Sequence, residues 1–279
     1  MSARIALLPD RGVVEVAGED RVGFLQGLVS NDVEHAAPGR LVWAALLTPQ
    51  GKYLADFFVA AEPGRLLLDC ERSLTPMLAG KLRRFRLRSK VEVEDRSDIL
   101  SIYAAWGGAV SPGDGWLPDP RLPNAGWRRL AADGLTVNAD AADWDCHRLA
   151  LGLPDGSRDL ESGKSTLLEG GFDELHGVSW SKGCYMGQEL TARTKYRGLL
   201  KRRLVPVEVV DGTLPASGAA IMRGDVQVGT MRSGRGVRGL AVLQLDAFDA
   251  ALTAAGTALR AVPPVWMATA RDQPAILTT

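Results

Sequence analysis

The sequence predicts an α+β fold that ends in a small all-β unit, and three observations predict it. Between residues 13 and 105, strand-like and helix-like segments follow the order β-α-β-β-(β)-α-β, which is that of a ferredoxin-like or split βαβ unit. Two further amphipathic segments, near residues 140–151 and 187–196, flank a stretch rich in Gly, Ser and Asp over 154–178. After Arg203 the chain changes to short apolar runs broken by Gly and Pro. With 279 residues, the length suggests two domains or three small ones.

Each element has its own signal. Residues 13–16 (VVEV) alternate as a strand, and Val22, Phe24, Leu25, Leu28 and Val29 then fall at helical spacing, with Asp20 the expected N-cap. The apolar runs 41–47 and 53–60 read as strands around the turn Thr48-Pro49-Gln50-Gly51, and Pro63-Gly64 turns the chain into a strand at 66–68. Leu74, Met77, Leu78, Leu82 and Phe85 form one helical stripe, and residues 90–94 and 99–105 return to strand character. Residues 107–126, rich in Gly, Pro and Asp, read as a loop or boundary. The helix from Asp140 stops at Gly152, with Pro154 beyond it. Residues 204–270 read as a small barrel in which Gly224-Asp225 is a hairpin turn.

Charge and cysteine usage exclude several classes. The 33 basic and 33 acidic residues balance, which argues against a generally basic nucleic-acid binder. The balance conceals two segments without an acid, residues 81–90 and 193–203, which hold 12 of the positive charges. They read either as anion-binding surfaces or as solvated helix faces. The longest apolar run, 41–47, is far short of the roughly 20 residues a membrane span needs, and the N-terminus lacks the pattern of a signal peptide. Cys70, Cys146 and Cys184 are odd in number and far apart, which points to a reducing cytoplasm. No Cys-x-x-Cys, phosphate-cradling Gly motif or His ligand spacing is present, so no resident metal is expected.

Chemistry concentrates in residues 179–203. Gly183 and Gly187 bracket Cys184, Tyr185 and Met186 and permit tight turns. A helix starting near Gly187 places Cys184 just before its N-terminus, where the dipole favours thiolate, and Lys182, Arg193 and Lys195 are close in sequence. The other reading is a small buried hydrophobe.

Lys182-Gly183-Cys184-Tyr185-Met186-Gly187-Gln188-Glu189 resembles the K-G-C-[YF]-x-G-Q-E signature of the YgfZ-type folate-binding proteins, as do Ala192-Arg193, Tyr196-Arg197-Gly198 and Lys201-Arg202-Arg203-Leu204. Residues 24–27 with 31–33, the hairpin 47–57 and residues 87–91 resemble that family too. The resemblance implies the fold of the glycine-cleavage T-protein, three domains in a ring around a central channel that holds tetrahydrofolate. The units would be 1–106 (folate-binding lobe), 107–203 (lobe carrying the motif) and 204–279 (barrel). It also implies a folate-dependent role in assembly or repair of iron–sulfur clusters in client enzymes, resting on Cys184. T-proteins lack the Lys-Gly-Cys. They carry acidic residues where this chain has Ala55 and Ala150, which weakens the alternative of an aminomethyltransferase.

The site expected on this basis has Cys184 as functional thiol within Lys182, Gly183, Tyr185, Gly187, Gln188 and Glu189. Asp56, Asn31, Asp32, Trp180, Arg193, Tyr196 and Arg197 are the folate-binding candidates, and Trp43 is a second ring able to stack on a pterin. Alternation places Asp56 on one face with Leu54 and Phe58. Asn31-Asp32 reads equally as a turn, and the arginines equally as bridges to the barrel. The expected partners are reduced polyglutamyl folate, its tail held by the basic segments, and iron–sulfur clients or assembly factors. The chain is expected to act as a monomer, without membrane or nucleic acid. An RNA- or protein-binding module using the basic segments is a further alternative.

Overall fold

A computed structural model describes residues 2–108 and 111–267; residues 268–279, the end of the region read as the third unit, lie outside it. The chain runs β1 (Arg4–Leu7), β2 (Arg11–Ala17), α1 (Arg21–Gln26), β3 (Val42–Leu47), β4 (Tyr53–Glu62), β5 (Arg65–Glu71), α2 (Thr75–Phe85), β6 (Glu92–Asp95) and β7 (Ser101–Trp106). It continues through β8 (Leu117–Pro118), β9 (Trp127–Ala131), α3 (Ala141–Leu151) and α4 (Gln188–Tyr196). The last part holds β10 (Arg202–Asp211), β11 (Ala220–Arg223), β12 (Val226–Arg235), β13 (Arg238–Gln244), β14 (Leu252–Ala254) and β15 (Thr257–Ala261).

The α+β class and the terminal barrel are as the sequence predicts. Five strands pair in the order β3-β4-β5-β2-β6, and α2 packs on β6 and β2. Val14, Val16, Phe57, Val59, Leu66 and Leu68 pack with the apolar stripe of α2 on one face of this sheet. The barrel closes in the order β10-β13-β12-β11-β14-β15, with β15 returning to β10.

Two expectations are corrected. The strand expected over 99–105 does not join the first sheet. As β7 it pairs with β1 and β9, in a four-stranded sheet ordered β1-β7-β9-β8. Its near-continuous apolar run suits a central strand covered on both faces: Ile102, Ala104 and Trp106 point into one cluster, Tyr103 and Ala105 into another. Asp20 stands at the expected N-cap position of α1, but its side chain does not bond the helix. Its Oδ2 accepts from the Lys90 backbone N–H at 2.7 Å, tying the helix start to the chain after α2. Asp140, by contrast, forms a full capping box with Asp143, and Gly152 ends α3 in the left-handed conformation.

Candidate functional site

The motif loop is held against the first sheet by a run of hydrogen bonds between residues 176–186 and the turn at 27–31. The Ser30 hydroxyl donates to Gly177 O (2.7 Å), and the Asn31 amide donates to His176 O (2.7 Å). Ser179 N–H donates to Ser30 O (3.1 Å) and Met186 N–H to Gly27 O (3.1 Å). At the centre, Lys182 Nζ donates to Val29 O (2.7 Å) and Asn31 O (2.6 Å). Burial of this ammonium outweighs the attraction of Asp32 and Glu34 and brings it down to about 8.

Cys184 is exposed, and Cys70 is buried, with burial pushing its thiol up. Gly183 (φ 86°) and Gly187 (φ 81°) are both left-handed, and Gly187 is the N-cap of α4. A Cβ on Gly187 would lie 2.4 Å from Thr48 O, so the loop can seat on the β3–β4 turn only with glycine there. Tyr185 is buried, which raises its hydroxyl to about 12, and its N–H donates to Gln188 Oε1 (3.2 Å). Glu189 is exposed in the first turn of α4. Two of the neighbouring cations are engaged with other groups. Lys182 holds the carbonyls just named, while Lys195 pairs with Asp173 (2.7 Å) and lies 4.2 Å over the Trp180 ring.

Asn31 and Asp32 border a cleft of about 580 Å³ whose lining includes Arg40, Trp43, Pro118, Pro120 and His176. Asp32 Oδ1 is taken by Gln26 and by the Glu34 N–H. Asn31 is half-buried, its amide bridging Trp43 O and His176 O. Trp180 donates to Asp173 Oδ1 (2.8 Å) and meets Tyr196 edge-on at 5.9 Å. Arg193 and Arg197 are exposed on α4 and do not line the cleft. Nor do the two basic segments as a whole. The first rides on α2; in the second, Lys195 pairs with Asp173 and Arg202 with Glu169. Arg40, Pro118, Pro120 and His176 were missed because they come from loops and from the two-residue strand β8, which carry no periodic signal.

Asp56 lies behind the cleft. It is 4 % exposed, its Oδ1 accepts from Tyr53 Oη (2.7 Å) and its Oδ2 from Trp43 Nε1 (2.9 Å). Burial raises its pKa against the pull of Arg11 and of these two donors. Trp43 is fully buried and stacks on Phe172 at 3.9 Å. Phe58 carries the Arg128 guanidinium at 3.7 Å, and Arg128 bridges Asp69 (2.7 Å) and Asp119 (3.3 Å). Arg11 closes on Asp69 and Arg121 on Asp119. An aromatic and ionic cluster of this chain's own side chains therefore packs between the two sheets. Leu54 does not share the face of Asp56. A bulge in β4 pairs Leu46 with Ala55 and Leu47 with Tyr53, which sends Leu54 to the opposite cluster and brings Tyr53 round to Asp56.

Two sheets and a closed six-strand barrel together make a fold of the glycine-cleavage T-protein type. The structure superposes on the crystal structure of glycine cleavage system aminomethyltransferase T from Bartonella henselae with a TM-score of 0.75, covering 96 % of this chain and 87 % of that one at 14 % identity, a likeness of fold. Residues 201–269 match the family model described as the CAF17 C-terminal beta-barrel domain.

The chain is 33 % identical to the human mitochondrial iron-sulfur cluster assembly factor IBA57, over 94 % of its own length and 85 % of that protein's. It is 38 % identical to the mitochondrial IBA57 homolog of Mycosarcoma maydis, over 76 % of its own length but 59 % of the relative's. It belongs to the IBA57 family of iron–sulfur cluster assembly factors.

Proposed function

We propose that this chain acts in the assembly or maintenance of iron–sulfur clusters in client enzymes, in a reducing compartment, as a YgfZ-type member with Cys184 as its functional thiol. The observation that carries the reading is the placement of that thiol. It stands exposed on a glycine-flanked loop, and hydrogen bonds fix this loop to the turn that borders the cleft. The names of the relatives, iron-sulfur cluster assembly factors, support it.

A reduced folate is the ligand proposed for the cleft. At about 580 Å³ the space lies within the range of small-molecule sites. Pro118 and Pro120 offer flat apolar walls, Asn31, Asp32 and His176 polar contacts, and Arg40 a fork for a glutamate carboxylate. Bound there, the folate would supply a one-carbon carrier. Asp56 would not hold it, since both its oxygens are occupied by Tyr53 and Trp43. The aminomethyltransferase alternative shares the fold, but this chain has Ala55 and Ala150 where T-proteins carry acids.

In cells deleted for the protein, Cys184→Ala should fail to restore a cluster-dependent enzyme that the wild-type chain restores. Full restoration would remove the thiol from the function. Calorimetric titration with 5-formyltetrahydrofolate should show saturable heat, stronger for the triglutamyl form and reduced about tenfold in affinity by Arg40→Ala. Absence of heat would remove the folate and leave the role of the thiol standing.

A further inference from the structure

We infer that Lys182 is a positioning residue that couples the Cys184 loop to the rim of the cleft, so that a change at the rim is felt at the thiol. This rests on the reading of Cys184 as the functional thiol. Lys182 Nζ donates to Val29 O and Asn31 O, two carbonyls on the turn between α1 and β3. The Asn31 side chain donates in turn to Trp43 O on β3 and to His176 O at the start of the motif segment. Asn31, Trp43 and His176 all line the cleft. One ammonium, two residues from the thiol, thus clasps the carbonyl of a cleft residue whose amide ties both walls together.

The other contacts of the segment with the turn run from backbone groups, from Ser30 and from Asn31. Lys182 is the member of the run that carries a charge. Its ammonium is partly buried and lies near Asp32 and Glu34, so the link is charge-assisted and strong for one side chain. Residues 183 and 184 have no comparable anchor: a Cβ on Gly183 would meet nothing within 4 Å. The thiol therefore sits on a short span between two fixed points, Lys182 and the buried Tyr185, whose N–H donates to Gln188.

The experiment uses the full chain and compares Cys184 with the exposed Cys146 of α3 as an internal control. Alkylation by N-ethylmaleimide is followed peptide by peptide, together with hydrogen exchange. Lys182→Met should change the Cys184 rate at least threefold relative to Cys146 and raise exchange over 27–31 and 176–186 together. Lys182→Arg should restore both. If the Cys184 rate is unmoved, or exchange rises at 181–184 while 27–31 stays protected, the coupling is overturned. In a further arm, saturating 5-formyltetrahydrofolate should shift the Cys184 rate in the wild-type chain and not in Lys182→Met. The ligand-free arms decide the coupling whether or not that folate binds.

Discussion

Asp56 shows what one carboxylate can and cannot disclose in a sequence. Its place inside an apolar strand marks a buried group in need of donors, and that much was legible. The identity of one donor, Tyr53, was not, because it depends on a one-residue bulge. Regular alternation would put Tyr53 on the face opposite Asp56, and the extra residue at Leu54 turns it back. The consequence can be measured. Asp56→Asn keeps one acceptor but sets an amide N–H₂ against a second buried donor, and should cost about 1–3 kcal/mol in urea unfolding. The same variant should leave the affinity for 5-formyltetrahydrofolate within about twofold. A loss of tenfold or more would mean that the ligand reaches Asp56, contrary to its burial behind Tyr53 and Trp43.

Among elements, α3, α4 and the barrel hairpins were legible because caps, glycines and periodicity agree in them, as at Asp140, Gly187 and Gly224. The sheet membership of β7 was not, since its partner β1 is four residues long and lies about a hundred residues away. The cleft was not either, since loops and the two-residue β8 supply most of its lining. Both motif glycines were expected to permit turns, but the structure separates their roles. At each, a side chain would strain a positive φ. At Gly187 it would also collide with the Thr48 carbonyl at 2.4 Å, whereas Gly183 faces open space. Gly183→Ala should therefore cost about 1 kcal/mol, and Gly187→Ala clearly more, about 2–4 kcal/mol, with loss of protection at the β3–β4 turn. Equal costs in denaturant titration would show that the loop does not seat on that turn.

At the scale of the molecule, ionic groups join the two sheets, α3 and the barrel, and this makes the fold responsive to acid. Arg148 on α3 reaches Asp145 (2.6 Å), Asp159 (2.8 Å) and Ser233 of the barrel (2.7 Å), while Asp119 from the loop between β8 and β9 answers Arg121 and Arg128. Composition could not reveal this, because balanced charge says nothing about which charges are buried together. Burial by itself would raise Asp119, but Arg121 and Arg128 outweigh it and hold the carboxyl down at about 2. A carboxylate depressed in the folded state contributes stability that is fully present above its unfolded pKa, near 3.9, and is lost as pH falls through the folded value. For Asp119 that is on the order of 2–3 kcal/mol, disappearing between about pH 4 and pH 2. Asp145 and Asp155 are lowered too and act in the same direction. Asp56 is raised, so its protonation as pH falls adds stability and offsets part of the loss. The urea midpoint should therefore hold near neutrality and drop steeply below about pH 4. Asp119→Asn should be less stable throughout, since it leaves two guanidinium groups short of a charge partner, but its midpoint should fall less steeply between pH 4 and pH 2. An unchanged slope in that variant would show that the cluster around Phe58 does not carry the acid sensitivity of the fold.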